Sequence, residues 1–64
     1  MTREELQKAA DNKVPAQVGS KSGRVHAYDI ARDRVAIQLD DEQDLHWEPI
    51  RNVLVIRGIL RVVT

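Results

Sequence analysis

Cysteine is absent from this 64-residue chain. That excludes disulfide bridges, thiolate zinc ligands and a cysteine nucleophile. Phenylalanine is absent as well, and Trp47 and Tyr28 are the whole aromatic content. A core has to be built from aliphatic side chains. The longest apolar run is Val53 to Ile56, against the roughly twenty residues a spanning helix needs. No segment reads as a secretory signal. The expectation is a cytoplasmic protein with no membrane contact. An excess of charge of one sign is missing too, because Lys and Arg balance Asp and Glu to a formal net charge of zero. That argues against the broadly basic surface of a nonspecific DNA binder but leaves room for a local basic patch. His26 and His46 are far apart and lack metal-ligand spacing. No cofactor and no metal site are expected.

What remains has to fold with little material. A chain this short reads as one domain and buries only about 60% of its unfolded surface. Tight packing, a closed sheet or a partner subunit has to supply the rest of its stability.

TREELQKAA predicts a short helix. Thr2 and Glu5 have capping-box spacing, Glu4 and Glu5 suit the positive end of the helix dipole, and Leu6, Ala9 and Ala10 make a narrow apolar stripe. So short a helix has to lie on a sheet. Val14, Ala16 and Val18 then alternate with other residues and predict a strand, with Pro15 at its start or on an edge. GSKSG, residues 19–23, predicts a turn; it lacks the Lys-Ser or Lys-Thr of a phosphate loop.

In GRVHAYDI, Val25 and Ala27 share one face while Tyr28 and Ile30 share the other. That phase change predicts a bent strand or a β-bulge. RVAIQL alternates strictly through Val35, Ile37 and Leu39 and is the clearest half-buried strand. DDEQD, residues 40–44, lacks the ligand spacing of a calcium loop and reads as a solvated hairpin tip. Leu45 and Trp47 alternate in the next strand, and Pro49 ends it. PIRN reads as one 3₁₀ turn. Val53 to Ile56 form another strand, expected to be buried through Val53, Val55 and Ile56, Arg57 and Gly58 a tight turn, and Ile59 to Val63 the final strand. Short links make the pairing mostly antiparallel. The expected fold is mainly β, a small five-stranded bent antiparallel barrel behind one short N-terminal helix. The expected core is Val25, Val35, Ile37, Leu39, Leu45 and Val53, with Leu6 over one end.

These residues resemble the Sm-like family, which includes the bacterial Hfq proteins. Gly23, Val25, Tyr28-Asp29 and the alternating Val35, Ile37 and Leu39 look like its first motif. Val55-Ile56-Arg57-Gly58 and Leu60 to Val63 look like the second. His46, Trp47 and Glu48 stand where the Hfq branch carries Tyr-Lys-His. The resemblance implies an Sm-like or SH3-like barrel over residues 1–64 that binds RNA as a ring. Tyr28, Asp29, Arg34, Arg57 and Gly58 would be the RNA-binding residues: Tyr28 stacks a base, Asp29 matches the motif aspartate, and Arg57-Gly58 line the pore.

The expected function is that of a non-catalytic oligomeric RNA-binding protein. The alternative is a protein-interaction or assembly module without nucleic-acid binding. Both predict a homo-oligomer through edge strands, because Ile59 to Val63 is apolar on both sides: Ile59 and Val63 face one way, Leu60 and Val62 the other.

Overall fold

The computed structural model describes residues 3–63. Helix α1 (Arg3–Asp11) is followed by strands β1 (Pro15–Val18), β2 (Lys21–Asp29), β3 (Arg34–Leu39) and β4 (His46–Pro49). A 3₁₀ turn (Ile50–Asn52) leads to β5 (Val53–Ile56) and β6 (Ile59–Val62). The proposed cap at Thr2 lies outside the described residues.

All six strands belong to one sheet, in the order β4-β3-β2-β1-β6-β5. The sheet does not close, so β4 and β5 are open edges. This corrects the expected barrel, and with it the Sm-like and SH3-like assignment. The strand segments in the sequence themselves number six, because the two-residue turn at Arg57-Gly58 divides β5 from β6, so the expected count of five is one too few. One pairing decides the topology. It is then β6 that takes the free side of β1, and it does so in parallel, with Ala16 beside Leu60 and Val18 beside Val62. The hairpin partner β5 is left outside, one strand away from β1. The other four pairings are antiparallel.

The local readings explain why the sheet bends. The β2–β3 register shifts between Val25 and Ala27, which places a bulge at His26 where the apolar phase changes. Pro15 sits at the start of β1 and not on an edge, since β1 is paired on both sides. Gly58 has a φ of 76° and Arg57 a φ of 52°. Both turn residues are thus left-handed, the geometry that suits a two-residue hairpin to the twist of its strands.

The core holds Val25, Val35, Ile37, Leu39, Val53, Ala16 and Leu60, and α1 lays Leu6 and Ala9 onto it. Leu45, expected in the core, is only half-buried, because it precedes β4 and flanks the acidic loop. Ala36 is fully buried although it lies on the other face of β3; it pairs with Trp47 of β4.

Candidate interaction edge

The five residues that the family resemblance singled out do not form one site. Tyr28 is half-buried near the end of β2, and its hydroxyl donates to Asp33 Oδ1 at 3.2 Å. Partial desolvation, then that hydrogen bond and the Asp33 charge, push the phenol above its ordinary pKa. The Asp29 carboxylate accepts from Arg32 N–H at 3.3 Å and so organises the β2–β3 turn. Arg34, also half-buried, lays its guanidinium 5.0 Å from the Trp47 ring centre, a cation–π arrangement. Its Nε is buried without a partner.

Arg57 and Gly58 lie elsewhere. They form the tip of the β5–β6 hairpin, on the other side of α1. One cleft beside the helix contains Gln7, Lys13, His26 and Tyr28. A second, largely apolar one contains Lys8, Ala9, Val55 and Gly58. The helix separates the two groups. Asp33, bound to Tyr28, also faces Arg3 at 3.6 Å.

A third cleft, of about 230 Å³, is lined by Arg32, Asp33, Pro49, Ile50 and Arg51. Arg34 pairs with Pro49 across β3 and β4, so this cleft adjoins the Arg34–Trp47 stack. The convergence of Arg32 with Arg51 was invisible in the sequence, where 18 residues separate them.

The most unusual surface is β5. Val53 is buried at 2% exposure, but the next three residues are not: Leu54 is 48% exposed, Val55 38% and Ile56 48%. The expectation that Val55 and Ile56 lie in a buried strand is therefore corrected. Among the described residues their strand has no neighbour on its outer side. Its backbone polarity can be read from one bond. Val63 N–H donates to Asn52 O at 2.6 Å, so Asn52, Leu54 and Ile56 turn their backbone groups inward to β6. Val53 and Val55 turn theirs outward. The Val53 N–H is used in the 3₁₀ turn, donating to Ile50 O. The Val53 carbonyl and both groups of Val55 face the open side.

The opposite edge differs in chemistry. Trp47 is 41% exposed on β4, beside His46 and Glu48, whose Nε2 and Oε1 atoms are 2.6 Å apart. The acidic loop Asp40 to Asp44 leads into this strand, and Lys21 faces Asp41 at 3.8 Å and Glu42 at 3.7 Å. From Ile50 to Val63 the charged residues are Arg51, Arg57 and Arg61 alone. β5 is flanked by arginines alone, whereas β4 has carboxylates about its start and, toward its end, Arg34 over Trp47 and Arg51 beside Pro49.

Among the described residues no helix is long and apolar enough to cross a membrane. Comparison of the chain with protein-family models, with curated proteins and with solved structures finds no match.

Proposed function

We propose that this chain is a non-catalytic assembly module whose copies associate through the open edges of the sheet. The observation that carries the reading is β5, an unpaired strand with three consecutive exposed aliphatic residues. A bare apolar edge is a template for another strand, and folded proteins ordinarily blunt it with charge, proline or a cover. None of these devices lies within Val53–Ile56, and strand addition supplies the missing cover. The small size of the chain points the same way, because burial against a partner adds to a marginal core.

Sedimentation tests this. Wild type at micromolar concentration is expected to be larger than a monomer. Leu54→Lys is expected to return it to monomer while its far-ultraviolet spectrum stays native, since Leu54 lies outside the core. Leu60→Lys does not serve the same purpose. Leu60 is fully buried in the chain's own core, so a lysine there damages the fold itself. A monomeric wild type at that concentration removes the assembly reading.

A second reading, single-stranded RNA binding, has one observation in its favour. Arg32 and Arg51 line one cleft next to a half-exposed tryptophan stacked with Arg34, which combines phosphate-seeking charge with an aromatic platform. Fluorescence anisotropy with oligo-U at low and high salt decides it. Binding that weakens with salt and with Arg51→Ala supports the reading. No binding at low salt defeats it.

A further inference from the structure

We propose that the two open edges recognise each other: β4 of one copy adds in parallel to β5 of the next, with Trp47 beside Leu54. This rests on the assembly reading and names its partner surface. Four independent features of the sheet agree on it.

The first is strand direction. Each antiparallel pairing reverses the chain and the β1–β6 pairing does not. Following them across the sheet, β4 and β5 run the same way. A copy that continues the sheet in the same orientation therefore meets β5 with a parallel β4.

The second is backbone polarity. Ile50 N–H donates to Asp33 O at 2.9 Å, so His46 and Glu48 bond inward to β3 and Trp47 turns both backbone groups outward. In a parallel pair, a residue with outward groups bonds to the two residues flanking its partner. Trp47 N–H then donates to the Val53 carbonyl, and Val55 N–H donates to the Trp47 carbonyl. Those are groups that β5 leaves open. The partner between them is Leu54, and this register overlaps the full length of both strands.

The third is the side-chain face. Ala36 shares its face of β3 with Gln38, which pairs with Arg24. That face continues through Gln17 to Arg61 and Leu54. Trp47 and Leu54 thus project from the same side of the sheet. The half-exposed indole meets the exposed Leu54 and Ile56 of the next copy.

The fourth is charge. The same register brings Asp44, at the end of the acidic loop, alongside Arg51. A two-fold contact of β5 with β5 gathers Arg51 and Arg57 from both copies with no carboxylate between them, and like charges oppose it. Head-to-tail contact uses both edges and sets the carboxylate before β4 against the arginine before β5. It is also heterologous, so it repeats from copy to copy, closing into a ring only where the rotation permits.

Cross-linking reads the register directly, because the chain contains no cysteine of its own. Trp47→Cys and Leu54→Cys chains, each silent alone, are expected to give a covalent dimer when mixed and mildly oxidised. One chain carrying both changes is expected to give a ladder of multimers. Pro49→Cys mixed with Ile56→Cys repeats the test with Trp47 intact. Val55→Cys alone is expected to give no dimer. A Val55→Cys dimer without the mixed products overturns the head-to-tail contact and leaves assembly standing. So does an oligomeric wild type in which neither mixed pair cross-links. A monomeric wild type without any cross-link overturns both.

Discussion

Gly23→Ala is expected to be the most damaging single-methyl change in the protein. Gly23 is buried in β2, opposite Leu39 of β3. A Cβ there would stand 2.7 Å from Leu39 Cα and against the Gln38 carbonyl oxygen. Both obstacles are backbone, so no rotamer change relieves them. The strands must separate or slide, and β3 carries Val35, Ile37 and Leu39 with it. A loss on the order of 3 kcal/mol or more follows from overpacking of this kind. A chain of this length has roughly 3–10 kcal/mol in total, so the variant is expected to be largely unfolded in water. Gly19→Ala is the control. Gly19 has a φ of 61° but open space around its missing Cβ, so only the conformational cost of about 1–2 kcal/mol applies. Urea melts of the two variants are expected to differ widely in midpoint. Equal midpoints would mean that β2 and β3 do not approach so closely at Gly23.

The glycine illustrates how much of this fold was legible. Sequence placed Gly23 at the end of a turn, because GSKSG is rich in turn formers, whereas the turn closes earlier and Gly23 is inside a strand. Local composition cannot register a neighbouring backbone. Where the signal was periodicity, the reading was accurate. The alternation of Val35, Ile37 and Leu39 gave a strand with all three inward. The phase change across Val25, Ala27 and Tyr28 gave the bulge at His26. The stripe of Leu6 and Ala9 gave a helix lying on the sheet. Closure was not legible. Short antiparallel links suggested a barrel, but which strand takes the free side of β1 depends on a contact between Ala16 and Leu60, distant in sequence and parallel in space.

The candidate edge was legible only in outline. The apolar character of Val53 to Ile56 and of Ile59 to Val63 announced more hydrophobic surface than so small a core can take, which remains the sequence basis for association. The surplus falls only partly on that last run: Leu60 in β6 is core while Val63 is exposed, and the neighbouring β5 exposes Leu54, Val55 and Ile56. A run apolar on both faces does not say which of two adjacent strands lies outermost. The RNA-contact residues were carried by a family pattern. Gly-x-apolar and Arg-Gly describe a turn and a strand, and they occur here in a sheet whose topology places α1 between them.

Ile37→Ala is expected to cost about 2–5 kcal/mol. Ile37 is fully buried at the middle of β3, paired on one side with Val25 and on the other with His46. The removed methyl groups leave a cavity in a core of aliphatic residues, without a phenylalanine to swing into the space. The loss is therefore poorly compensated, and it approaches the stability of the whole domain. Ile37→Val keeps the β-branch and is expected to cost about 0.5–1.5 kcal/mol, which provides a graded value if the alanine variant does not fold. Leu54→Ala, four strands away and half-exposed, is expected to change monomer stability by no more than about 0.5 kcal/mol. The melts belong at a concentration where the chain is monomeric, because association adds apparent stability by mass action. In that regime Ile37→Ala separates sharply from Leu54→Ala, whereas at high concentration Leu54→Ala also loses the stability that association supplies. An Ile37→Ala midpoint close to wild type would remove β3 from the centre of the core, and with it the face assignment that sets Trp47 and Leu54 on the same side of the sheet.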